Sequence, residues 1–204
     1  MNNIKSAKKT LLLSIIMSSP GPLVVGLGLL AGQSSTQIAD FVRRSIELLA
    51  IILSYIVFCI TVKNDSVDEV KKKKYEKCAN LFVSIAMILS GIIMTALALS
   101  APADEKGNVI PGLVIALSGI GANCVFWIKY KRLGQKTNNK LLLTQSKLYR
   151  GKVLVDSSVV VALTIVLISH NQHIAHWFDV VGTICVSVYL AFTGTTSFIK
   201  EMRN

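Results

Sequence analysis

The chain has 204 residues, 52% of them hydrophobic, and a net charge of +11, with a mean hydropathy of +0.57. A soluble domain of this length closes its core with less apolar sequence, and here the apolar residues come in long blocks. The excess of positive charge is compatible with nucleic acid or with a membrane, and its placement along the chain decides between them.

A membrane-crossing helix needs ~20 largely apolar residues. Six blocks qualify, at 11–31, 37–62, 78–100, 109–128, 141–169 and 177–198. The expectation is an all-α integral membrane protein of six transmembrane helices, forming a single domain over 1–204. The chain ends in "FIKEMRN", so no soluble C-terminal domain is expected.

Span 1 follows Lys5, Lys8 and Lys9. Its apolar stretch runs on to Leu30, longer than a signal-peptide core, and no small-residue cleavage site closes it, so it reads as a retained helix. Within it, "SSPGPLVVGLGLLAG" places Pro20 and Pro22 where a kink is predicted. Gly28 and Gly32 form a small-xxx-small pair suited to close packing or to a hinge.

Span 2 opens with Asp40, Arg43, Arg44 and Glu47 inside eight positions, and then carries no charge from Leu48 to Val62. On a helix, Asp40 and Arg44 are four apart, as are Arg43 and Glu47, so each pair can meet. The connection "KNDSVDEVKKKKYEK" follows. Its run Lys71, Lys72, Lys73 and Lys74 reads as a topology signal with an attraction for anionic lipid headgroups.

The loop "APADEKGN" is short and acidic, and "KYKRLGQKTNNK" is a second basic connection. Trp127, Tyr130 and Trp177 suit interfacial belts. With six spans, all but three of the 22 Lys and Arg fall in the four segments that share one side; the exceptions are Arg43, Arg44 and Lys106. That is the positive-inside pattern. It predicts that both termini are cytoplasmic, in a multi-pass protein of a bacterial inner (plasma) membrane, and it removes nucleic acid as a partner.

Span 5 supplies a further pair, Lys152 and Asp156, four apart. Ionisable side chains in spans face the bundle interior, pair with one another and mark pathways. Here the acids Asp40, Glu47 and Asp156 balance the bases Arg43, Arg44 and Lys152. Such a neutral set fits either salt bridges that fix helix register or an ion pathway.

Cys59, Cys78, Cys124 and Cys185 lie in or beside four different apolar blocks, without a C-x-x-C, and read as small packing residues. The three histidines fall together in "HNQHIAHWFD": His170, His173 and His176, followed by Asp179 at the same spacing of three. This outer connection reads as a polar interfacial turn, or as a metal-capture or pH-sensing site. No Ser–His or Cys–His pairing and no phosphate loop is present, so no enzyme is expected.

The order of these parts resembles the transmembrane domain of the cation diffusion facilitator family. "GQSSTQIADF" is similar to the family's stretch at the first metal-binding Asp and places Asp40 on it. "KYEKCANL" resembles the start of the family's third helix, matching Tyr75, Lys77 and Asn80. Asn123 in "SGIGANCVFWIKYKR" stands where the family often has a helix 4 Asn. "RGKVLVDSS" places Asp156 on the helix 5 metal Asp, and "HWFDVV" resembles the start of helix 6.

The resemblance implies a homodimeric secondary transporter that exchanges a divalent metal such as zinc, iron or manganese for protons. No resident cofactor is implied. The ion would sit between two residues four apart on helix 2 and two residues four apart on helix 5. At those positions this chain keeps Asp40 and Asp156 but has Arg44 in place of an Asp and Lys152 in place of a His or Asp. The expected pathway residues are Asp40, Arg43, Arg44, Glu47, Asn80, Asn123, Lys152 and Asp156. The alternative is a membrane scaffold or interaction protein that keeps the fold without transport.

Overall fold

The computed structural model describes residues 2–31, 35–63, 68–100, 110–169 and 172–203. They form seven helical segments: α1 (Asn2–Ser18), α2 (Pro20–Ala31), α3 (Ser35–Lys63), α4 (Glu69–Ser100), α5 (Ile110–Thr137), α6 (Lys140–Ser169) and α7 (Gln172–Arg203). No strand occurs among the described residues.

Segments α1 and α2 are one rod with a local break, so the architecture is six helices. Only Ser19 separates them. Pro20 lacks the N–H that would bond the carbonyl of Ile16. The Ser19 hydroxyl donates to that carbonyl at 3.0 Å instead, and Ser19 N–H still bonds Ile15 O at 2.9 Å. The predicted proline kink is therefore present, with its orphaned carbonyl satisfied as an apolar surrounding requires.

Four of the rods contain windows long and apolar enough to cross a bilayer: Asn3–Leu27, Phe41–Val62, Glu69–Ser100 and Val180–Arg203. Rods α5 and α6 fall short among the described residues. Each nevertheless carries a long apolar stretch, residues 110–128 in α5 and 153–169 in α6, with Asp156 the one charge in either. The two pack along one another and present their apolar residues to the bundle and its surface. Leu12, Leu23, Val24, Ile92, Leu99, Val188 and Phe192 are exposed, as expected of side chains that meet lipid.

Rods α4 and α7 approach closely through small residues. A Cβ on Gly91 would stand 2.7 Å from the Ser187 carbonyl, and one on Gly194 would stand 2.8 Å from the Ser84 carbonyl. With no hydrophobic drive between helices in lipid, such backbone proximity supplies the packing attraction.

The α5–α6 connection is two residues long. Asn138 adopts a left-handed conformation with φ 48°, and Asn139 N–H bonds Gly134 O at 3.0 Å. That is the Schellman closure of α5. Asn139 then caps α6, its Oδ1 accepting from Leu142 N–H at 3.1 Å, and its Nδ2 donates to Glu76 Oε1 on α4 at 3.2 Å. One asparagine thus starts a helix and anchors it to a neighbour.

Asn139→Ala should lower stability by ~1–2 kcal/mol through loss of the cap and of the Glu76 contact. Asn138→Gly should be neutral or slightly stabilising, because glycine takes the left-handed conformation without strain. Thermal unfolding in detergent, read by circular dichroism, measures both; equal destabilisation by the two would contradict the assigned cap.

Candidate ion site inside the bundle

Helix α3 turns Arg43, Glu47, Ala50, Ile51 and Ser54 inward, all of them buried. The spacing of three and four keeps them on one face. Glu47 takes partners from its own helix and from two others. Its Oε1 accepts from Ser90 Oγ on α4 at 3.0 Å and lies 3.4 Å from Arg43 Nη1. Its Oε2 lies 3.3 Å from Lys152 Nζ on α6. One carboxylate, 6% exposed, thus joins α3, α4 and α6.

Helix α6 contributes a matching inner face. Gln145, Tyr149, Lys152 and Asp156 follow one another at intervals of four, three and four. Lys152 passes over the Tyr149 ring at 5.1 Å from its centroid. Tyr149 packs against Phe126 and Tyr130 of α5, each at 5.3 Å between ring centroids. Gln145 donates to Ser54 Oγ on α3 at 2.7 Å. Ser14 and Ser18 of α1 hydrogen-bond the Tyr130 and Tyr149 hydroxyls respectively.

Asp156 lies one turn beyond Lys152 and makes a different set of contacts. Its Oδ2 accepts from Asn123 Nδ2 on α5 at 2.7 Å. It also presses against Gly119, where a Cβ would stand 2.8 Å from the same oxygen. Arg44 extends towards α2, its Nη1 3.3 Å from where a Cβ on Gly21 would lie.

The structure therefore brings together Arg43, Glu47, Lys152, Asn123 and Asp156, with Arg44 beside them. The i,i+4 spacing predicts a Lys152–Asp156 pair; Lys152 instead bonds Glu47, because α3 places that carboxylate at its level. The backbone of Asp40 belongs to α3, but its side chain lies outside the described residues. Asn80 is not in the cluster. It sits ten residues before Ser90 on α4, ~15 Å along the axis, and donates to Glu201 Oε1 on α7 at 3.1 Å.

The proposed outer histidine site falls outside the described residues: His170 entirely, and the side chains of His173, His176 and Asp179. Among the described residues, no group of three or more His, Cys, Asp or Glu is placed to hold a metal. Of the lysine run, Lys72 approaches Glu69 at 4.0 Å, and Lys71, Lys73 and Lys74 are exposed. Sequence reasoning missed Ser90, Gly119, Ser54 and Gln145. The four-three-four rhythm of polar residues from Gln145 to Asp156 was the available signal for the last.

The model of the cation efflux transmembrane domain matches residues 11–204. The fold and the intramembrane charges thus define an integral multi-pass membrane protein of transporter type. The chain belongs to the cation efflux family. No curated protein and no solved structure matches it.

Glu47 and Lys152 should behave as one unit. Glu47→Gln leaves Lys152 and Arg43 in low dielectric without their shared anion and should cost ~3–5 kcal/mol. Glu47→Gln combined with Lys152→Met should recover a good part of that loss. Unfolding of the single and double variants in detergent gives the coupling energy, and simple additivity would show that the two do not interact.

Proposed function

We propose that this protein is a proton-coupled secondary transporter of divalent cations in which Lys152 is a tethered cation that holds the ion site closed. The observation that supports the reading is the ammonium of Lys152 against Glu47, one turn from Asp156 on α6. In the family pattern, residue 152 is itself a ligand.

The chemistry follows from charge. A cation arriving between Glu47 and Asp156 meets Lys152 and the arginines. Two unit charges ~4 Å apart repel by about 4 kcal/mol at an effective dielectric of about 20, about a thousandfold in affinity. The resting site should accordingly hold zinc, iron or manganese weakly. Arg43 and Arg44 keep their protons under all ordinary conditions, whereas a lysine can give one up. Loss of one proton from Lys152 frees its contact with Glu47 and removes one positive charge as the incoming ion brings two. This couples cation entry to proton release at a named atom.

Membership of the family further supports a homodimer, and the distribution of Lys and Arg supports cytoplasmic termini. A transport-inactive scaffold is the second reading. It is favoured by the internal satisfaction of Glu47, whose partners alone suffice to fix the register of three helices.

Flux of zinc, iron and manganese into proteoliposomes, with and without a pH gradient, separates the two. The transporter reading expects gradient-dependent flux of at least one ion. It also expects Lys152→Arg to fold but to lose that flux, since a guanidinium stays charged. Absence of flux for every ion, or undiminished flux in Lys152→Arg, would remove the role given to Lys152. By calorimetry, Arg44→Asp with Lys152→His should bind zinc far more tightly than the native chain.

Topology is checked separately. Cysteines introduced singly at Ser66 and Asn108, in a background lacking the native four, should label from opposite faces of the membrane. Labelling from one face would exclude the six-span arrangement.

A further inference from the structure

Helix α4 carries a second organised surface, on the side away from the ion site. Its buried face is Ala79, Asn80, Val83, Ser84, Ala86, Met87 and Ser90. Another stripe, Lys74, Lys77, Cys78, Leu81, Phe82 and Ile85, lines a groove of about 340 Å³. These positions recur at intervals of three and four and so form one face. Lys74, Cys78 and Ile85 are exposed, and Lys77, Leu81 and Phe82 are half-buried.

The groove is lined by apolar atoms, Lys74 and Lys77 contributing their stems at one end of it. Among the described residues, Lys72 has Glu69 within 4.0 Å, while no ion pair joins Lys74 or Lys77 to a carboxylate. Both stand where the charged opening of α4 gives way to its apolar length. Leu81 and Ile85 follow Lys77 by ~6 Å and ~12 Å along the helix. Two ammonium groups without a carboxylate partner, followed along the same helix face by an open apolar groove, are complementary to an anionic headgroup with an acyl chain attached.

We infer that this groove is a binding site for an anionic phospholipid, with the phosphate held by Lys74 and Lys77 and an acyl chain laid along Leu81, Phe82 and Ile85. A free phosphate would leave the apolar floor unused. A second copy of the chain seated on this stripe would oppose its lysines with like charges. The site is narrower than the run Lys71–Lys74 that the sequence points to. It takes one member of that run and adds Lys77 and the apolar residues below it. Two lysines near the membrane surface give about thirtyfold preference for an anionic over a zwitterionic lipid.

Cys78 sits in the middle of the groove and is exposed, so it reports on occupancy, and Ser66→Cys in the connection before α4 adds a control thiol in water. The full chain is reconstituted in phosphatidylcholine vesicles with and without phosphatidylglycerol. N-ethylmaleimide modification of the two thiols is then followed by peptide mass spectrometry. Phosphatidylglycerol should slow Cys78 several-fold relative to the thiol introduced by Ser66→Cys, and Lys74→Gln with Lys77→Gln should abolish the difference. The melting temperature of that variant in phosphatidylcholine should match the native value, which shows that it is folded. Equal labelling of native Cys78 in both vesicles would overturn the proposal, as would slowing that persists in the double variant, which marks a bulk surface-charge effect. Oxidative Cys78–Cys78 cross-linking in both lipids would assign the groove to a second copy instead.

Discussion

The structure turns on a carboxylate in a place that will not tolerate one alone. Glu47 is buried at the centre of the bundle, and an uncompensated anion there would cost several kcal/mol. Compensation arrives from Arg43 on its own helix, Ser90 on α4 and Lys152 on α6. Because each donor must come within hydrogen-bond reach, the three helices have little freedom to slide. Once Lys152 is fixed to Glu47, the next turn of α6 carries Asp156 to Asn123 and Gly119 on α5. The geometry of the candidate site is thus a consequence of one buried charge being neutralised.

A second polar layer lies near the starts of α4 and α6 and the end of α7. Glu76 accepts from Asn139, Asn80 donates to Glu201, and Lys147 donates to Ser197 at 2.8 Å. These contacts tie α4, α6 and α7 together where the apolar packing of the spans ends. The aromatic set Phe126, Tyr130 and Tyr149 lies between the two layers and meets α1 through Ser14 and Ser18. Polar contacts at both levels and aromatic packing between them hold the bundle together. In lipid, where apolar burial between helices adds little, such contacts carry much of the specificity.

The number of helices was legible because a bilayer sets a length and the chain repeats it six times. The break at Ser19 was legible from Pro20 and Pro22, whose missing N–H groups act locally. The ion set was legible as a list, since Arg43, Glu47, Lys152 and Asp156 stand out against apolar surroundings. Their partners were not. Spacing along one helix reveals only pairs on that helix, such as Arg43 with Glu47. The bond from Lys152 to Glu47 depends on how far α3 and α6 are offset along their axes. The same offset places Arg43 near the level of Asp156 and Asp40 about one turn, ~5 Å, further out. Asn80 illustrates the converse: it belongs to a family-like motif, yet its bond goes to Glu201 and away from the charges it was grouped with.

The two cations Arg44 and Lys152 are physically unequal. Arg44 projects its guanidinium towards α2, against Gly21, where the absence of a side chain leaves it room. Lys152 occupies the contact between α3 and α6, bonded to Glu47 and backed by the Tyr149 ring. A guanidinium in that position would be a fixed plug, since it does not deprotonate. An ammonium on a flexible stem can withdraw without disturbing the helix that bears it. The cations of the cluster thus differ in kind: Arg43 meets Glu47 with a fixed charge on the same helix, and Lys152 reaches the same carboxylate from α6 on a flexible stem.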